Sequence, residues 1–182
     1  MSNARHSLIL GASGQGKTTL GVALALEHQR LRDRVVVLDP YPGENAWGPK
    51  AVVFSDPEKF DHFVASTSGC VLIVDESGRF IQTRHSHMTW LATEARHLGH
   101  TTYFLTQSAT QLPPVVRENV STCWLFATGK GTKLALQDEM FDWPEIRSTR
   151  LTPYHFLYLT THNAPRPGCV VLSKGVPYVR WL

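Results

Sequence analysis

Apolar residues along the chain gather into short unbroken runs, separated by longer stretches in which polar residues interrupt them. Leu8-Ile9-Leu10, Val35-Val36-Val37-Leu38 and Val71-Leu72-Ile73-Val74 do not alternate with polar residues, which is the pattern of strands covered on both faces. Thr101 to Gln107 reads as another strand, Ala51 to Phe54 as a short one and Val120 to Ala127 as one more. Helical spacing fills the intervals. Thr19 to Arg30 is rich in helix formers and runs into a basic cluster, Arg30, Arg32 and Arg34, as a helix C-terminus prefers. Asp56-Pro57-Glu58 has the form of a helix start, with Phe60, Phe63 and Val64 on one apolar face. A further helix is predicted from near Met88 through Trp90, Leu91, Ala95 and Leu98 to a stop at Gly99. Strands alternating with helices predict an α/β fold, a mostly parallel central sheet with helices on both faces.

The remaining segments are shorter. Pro40 to Lys50 carries three prolines and two glycines and must be a loop. Val115 to Asn119 reads as a helical turn, and Thr132 to Phe141 as a surface helix. Tyr154–Thr161, Cys169–Ser173 and Val176–Leu182 read as strands around the turn-rich 163–168, a hairpin-like β extension of the sheet. One domain is expected over 1–182, with a core at 1–128 and a C-terminal helix and strand extension at 129–182. A chain of 182 residues suffices for one domain that removes about 70% of its unfolded surface from water.

Chemistry enters at the first strand. Gly11-Ala12-Ser13-Gly14-Gln15-Gly16-Lys17-Thr18 satisfies G-x-x-x-x-G-K-[ST] at every fixed position, directly after an apolar run and directly before a helix beginning at Thr19. Loop amides and the helix dipole then converge on phosphate. Lys17 reaches the β- and γ-phosphates as a mobile point charge, and the Thr18 hydroxyl ligates a magnesium ion that bridges them. This stretch predicts a nucleoside triphosphate with Mg2+, held by Gly11 to Thr19. Asp75 and Glu76 follow the buried run 71–74, at the strand end where open α/β sheets place ligands. Asp75 suits the metal through its water shell. Glu76 suits the attacking water, which a hydrolase must orient and partly deprotonate; capping of the next helix is the alternative. If the strand ending at Gln107 lies between the other two, its amide comes within reach of the γ-phosphate.

Composition narrows the setting. The chain is 42% apolar and 18% charged, with a formal net charge of +3, which permits a nucleic-acid partner without demanding one. No apolar run approaches bilayer length and residues 1–6 carry no signal segment, so neither a membrane span nor export is expected. Cys70, Cys123 and Cys169 are odd in number and each lies in or beside an apolar run, as buried free thiols do. His85, His87, His97 and His100 come with no cysteine or carboxylate set at ligand spacing, and no metal site is assigned to them.

Several of these motifs together resemble one family. The phosphate loop, a strand ending Asp39-Pro40, the tandem Asp75-Glu76, and Glu94-Ala95-Arg96-His97-Leu98-Gly99-His100 leading to a strand that ends at Gln107 look like the FtsK/HerA-type P-loop ATPases. Within them the chain is most similar to the small genome-packaging ATPases of membrane-containing, double-jelly-roll viruses, and 107–119 resembles the stretch after their sensor glutamine. The likeness covers roughly residues 4 to 128. It implies a RecA-like core whose sensor strand lies between the two phosphate-motif strands. It also implies a homo-oligomeric ring, pentameric or hexameric, that hydrolyses ATP to move double-stranded DNA into a preformed capsid. A portal or capsid-vertex protein is the implied further partner, and the host cytoplasm or virion vertex the implied location. A trans arginine is part of that mechanism. Arg96 is the first candidate and Arg117 the second, ahead of Arg79 and Arg84.

For DNA, the loops 41–50 and 77–89 offer Lys50, Arg79, Arg84, His85 and His87 with the aromatics Tyr41, Trp47 and Phe80 between them. Both loops are expected beyond the C-terminal ends of strands, and cations there suit phosphate contacts without base readout. Three functions stay open: a DNA-translocating ATPase, a nucleotide-dependent assembly or morphogenesis factor with slow hydrolysis, and a small-molecule kinase. The tandem acids and the sensor glutamine count against the kinase.

Overall fold

The computed structural model describes residues 5–43, 46–81 and 87–182. In chain order its elements are β1 (His6–Leu10), α1 (Lys17–Arg30), β2 (Val35–Leu38), β3 (Val52–Phe54), α2 (Pro57–Ala65), β4 (Val71–Val74), α3 (Ser77–Phe80) and α4 (Trp90–Thr93). There follow β5 (Thr101–Thr106), α5 (Pro114–Glu118), β6 (Val120–Leu125), α6 (Lys130–Glu139), α7 (Glu145–Ser148), β7 (His155–Thr160), β8 (Arg166–Ser173) and β9 (Val176–Trp181). The strands form a single sheet in the order β3-β2-β4-β5-β1-β6-β7-β8-β9. The first six in that order run parallel and the last three are antiparallel additions. The α/β architecture, the position of β5 between β1 and β4, and the C-terminal β extension all match the sequence reading.

The unbroken apolar runs are explained by the two faces they meet. Val35 and Val37 face one apolar cluster with Ile9, Leu20 and Leu105, on the side of α1. Val36 and Leu38 face the other, with Phe60, Leu91, Val116 and Leu136 from the opposite helical layer. All four β2 residues are fully buried, each worth about 1.5–3 kcal/mol. The three cysteines are buried and free. Asp56 caps α2 by accepting the Glu58 and Lys59 amides at 2.9 and 3.3 Å, so the start signal holds as read.

One helix differs from its prediction. The segment from Met88 to Gly99 is split into a 3-10 turn at His87–Thr89, α4, and a second 3-10 turn at Ala95–Leu98. Leu91, Ala92 and Ala95 are all fully buried. Gly99 ends the segment in the left-handed region at φ 80°, as expected.

Candidate active site

The parallel strands all deliver their C-terminal ends to one edge of the sheet, and there β1 hands over to the phosphate loop. The loop is pinned on both sides. The Gly11 amide donates to the Thr106 carbonyl (3.3 Å) and the Ala12 amide to the Ala127 carbonyl (2.9 Å). Gly16 has φ 105°, a conformation that favours glycine. Lys17 is 8% exposed and its Nζ donates to the Ala12 carbonyl at 3.1 Å. Burial holds its pKa below the ordinary lysine value, and the carboxylates of Glu76 and Asp75 oppose that shift.

Across the edge, β4 supplies the two acids. Asp75 Oδ2 accepts from Thr18 Oγ1 (3.0 Å), while Oδ1 accepts from the Glu76 amide (2.9 Å). Burial is the main cause that raises the Asp75 pKa; those two hydrogen bonds lower it, and nearby Asp39 and Glu76 add to the rise. A hydroxyl and a carboxylate meeting at 3.0 Å beside a lysine form a hard oxygen pair of the kind that binds magnesium. Glu76 stands at φ 50°, ψ 39°. That region costs a non-glycine residue about 1–2 kcal/mol. The left-handed turn takes its side chain off the strand line and into the wall of a cavity of about 180 Å³ that it shares with Gly14, Gly16, Lys17 and Thr18.

Behind Glu76 the packing is close. Ser77 Oγ donates to the Leu105 carbonyl at 2.8 Å, and a Cβ on Gly78 would lie 2.9 Å from Gln111 Cβ. Gln107 leaves β5 directly after Thr106, the residue bonded to the phosphate loop, and is exposed. The following turn is tied back by Gln111, whose Oε1 accepts from Thr106 Oγ1 (3.0 Å) and the Ser108 amide (3.2 Å). Gly11 to Thr19, Asp75, Glu76 and Gln107 therefore lie at one sheet edge, with Gln107 outside the lining of the phosphate cavity.

The cationic candidates are not brought together. Arg117 is committed within its own subunit: its guanidinium donates to the carbonyls of Ala109 (3.3 Å) and Leu112 (2.7 Å) and pairs with Glu139 at 2.6 Å, with 11% of the side chain exposed. Those bonds leave it holding the turn after Gln107. Arg96 is exposed and lies near His6, at the start of β1. The five residues of β1 span about 16 Å, so Arg96 cannot reach the phosphate loop of its own chain. Lys50 also sits at that far edge. β2 and β3 are parallel neighbours, with Val36 opposite Val52, so the chain must return to the sheet's opposite edge before Val52. The expectation that Lys50 lies beyond the C-terminal ends is corrected on that ground. Trp47, expected beside DNA, is instead 1% exposed and packed against Gly21 of α1. Arg79 does lie at the active edge, its Nη1 donating to the Tyr41 hydroxyl at 2.6 Å. Arg84 and His85 fall outside the described residues, and of the His87 side chain nothing is described.

Two residues escaped the sequence reading as site residues. Asp39, 8% exposed, accepts from Trp47 Nε1 and the Tyr41 amide, both at 2.8 Å, and adds its charge beside Asp75. Its place after β2, next to β4, was the available signal. Tyr154 lines the phosphate cavity from the C-terminal extension, and no local pattern marks it.

The family model for zonular occludens toxin (Zot) matches residues 52–133, less than half of the chain. No curated protein matches the sequence. Among solved structures, the genome packaging NTPase B204 from Sulfolobus turreted icosahedral virus 2, solved with sulfate, superposes with a TM-score of 0.75 at 16% identity, covering 92% of this chain and 96% of that one. The N-terminal domain of zonular occludens toxin from Neisseria meningitidis gives 0.60 at 20% identity, covering 95% and 96%. The pCW3 conjugation coupling protein TcpA, with ATPγS, gives 0.67 at 12% identity, covering 89% of this chain and 59% of that one. The chain shares its fold with these structures, and the likeness to FtsK/HerA-type packaging ATPases read from the motifs holds at the level of fold.

Proposed function

We propose, on the premise of that fold, that the chain is an ATP-hydrolysing motor that moves double-stranded DNA, serving to package a viral genome into a preformed capsid. The observation that carries it is the strand order β4-β5-β1, which sets a metal-binding acid, a hydrolytic acid and a sensor amide around one phosphate loop. Gly11 to Thr19 cradle the triphosphate with backbone amides and Lys17. Thr18 and Asp75 hold magnesium, which neutralises charge on the β- and γ-phosphates. Glu76 accepts a proton from the attacking water, and its left-handed backbone aims the carboxylate at the cavity. Gln107 contacts the γ-phosphate or that water and carries the change into the turn that Arg117 grips.

Because Arg117 is already engaged, the trans arginine is assigned to Arg96, on the edge of the sheet that its own site does not use. A ring of five or six copies brings that edge to a neighbour, and an arginine supplied in this way is worth a thousandfold or more in rate in related enzymes. Arg79, with Tyr41 beneath it, supplies phosphate contacts to DNA. Among the described residues no helix is long and apolar enough to cross a membrane.

The test is ATPase rate against protein concentration, with and without double-stranded DNA. The rate per chain should rise with concentration and with DNA. A rate indifferent to both overturns the motor. A second reading, a nucleotide-dependent assembly factor, predicts slow turnover that DNA does not change.

A further inference from the structure

The phosphate cavity does not end at the phosphate loop. Its far wall is Tyr154, which also forms one wall of an adjoining groove of about 490 Å³. That second groove is lined by Pro153, Val170, Val171 and Leu172, with Arg180 at its side. A small polar cavity meets a larger apolar one across a single aromatic ring.

The placement of that ring is specific. The Tyr154 amide donates to the Gln15 carbonyl of the phosphate loop and its own carbonyl accepts from the Val170 amide, both at 2.8 Å. The residue thus bridges the loop and β8. Its ring lies so close over the loop that a Cβ on Gly16 would meet Tyr154 Cδ1 at 2.7 Å. Its backbone is held at φ 66°, where a bulky side chain is strained and a glycine would rest freely. Yet the residue is 43% exposed, so burial does not account for the strain. Strain of this kind persists where the surroundings impose it, and ligand clamps are one such place.

We infer that Tyr154 and the groove over β8 form the nucleobase subsite: the base of the nucleoside triphosphate stacks on the Tyr154 ring and lies against Val171 and Leu172, while the phosphates occupy the loop. The occupant follows from continuity, since a group covalently joined to phosphates in the first cavity enters the second past Tyr154. An aromatic face with apolar walls is what a base requires, because stacking uses the ring face and tolerates any base. The inference rests on the nucleotide reading above and extends it to the C-terminal extension, which the phosphate-binding motifs do not include.

The test compares dissociation constants of the full chain for ATP and for inorganic tripolyphosphate, each with magnesium. Tyr154→Ala should weaken ATP about 5-fold to 150-fold more than it weakens tripolyphosphate, the range for loss of one base–aromatic stack. Tyr154→Phe should bind both as the parent does. Leu172→Ser, at a residue 60% exposed and so of little consequence for folding, should weaken ATP about threefold and spare tripolyphosphate. If Tyr154→Ala weakens the two ligands equally, or weakens neither, the subsite is overturned while the nucleotide reading stands. If the parent binds neither ligand, the nucleotide reading itself fails and this inference with it.

Discussion

His6 gives the stability of this protein a calculable dependence on acid. It opens β1, is 3% exposed, and neither of its ring nitrogens has a hydrogen-bond partner among the described residues. Its ring meets Phe104 edge-on at 6.2 Å. Burial, followed by the charge of Arg96 and the proximity of His100, holds its pKa down to about 4 from an ordinary 6.5. The unfolded chain therefore binds this proton first, and acid favours unfolding. Stability is complete above about pH 6.5 and falls with pH until it levels off below about 4, a total on the order of 3 kcal/mol. By about pH 4.5 most of that is gone. His6→Leu removes the titration and keeps an apolar side chain of similar bulk. Urea denaturation of both proteins at about pH 7.5 and about pH 4.5 then isolates the effect. The parent should lose roughly 2–3 kcal/mol more than the variant, about 1 M in midpoint for ordinary slopes. Asp75, whose pKa is raised, works with the opposite sign but is present in both proteins and cancels. Parallel losses in parent and variant would refute the account of His6.

Three more outcomes are expected. Glu76→Gln should retain ATP binding in equilibrium titration and lower kcat by about a hundredfold to ten-thousandfold; unchanged turnover would show that another group takes the proton. Arg117→Ala should cost about 2–4 kcal/mol, because it strands two carbonyls and the Glu139 carboxylate; a parental Tm with lost hydrolysis would return the trans role to Arg117. Arg79→Ala should reduce the log–log salt slope of DNA binding by about one, while Lys50→Ala, at the opposite sheet edge, should leave it unchanged. The reverse order would place DNA on the other edge.

What the sequence disclosed and what it hid divide along a physical line. The phosphate loop, the strand before it and Asp75-Glu76 are contiguous, so spacing alone carries their geometry. The α/β class followed from unbroken apolar runs, which only strands buried on both faces require. Lys50 and Trp47 could not be placed, because loop composition does not say at which edge of the sheet a return connection ends or which aromatic fills the gap over Gly21. Arg117 looked like a free arginine until its distances to Ala109, Leu112 and Glu139 were known. Tyr154 joins the site from 138 residues beyond Gly16, through a sheet order that no local pattern encodes.

The central position of β1 also sets a timetable for synthesis. Its two neighbours, β5 and β6, begin only at Thr101 and Val120. At about 5–20 residues per second, the ribosome leaves Leu8-Ile9-Leu10 without lateral partners for on the order of 5–20 s. β2, β3 and β4 with α2 can assemble during that interval, since their contacts are closer in sequence. β1 is therefore enclosed on both sides only once β6 is made, after β2 to β5 and before β7 to β9. Nucleotide can stabilise the chain only after residue 125 has emerged and β6 has paired.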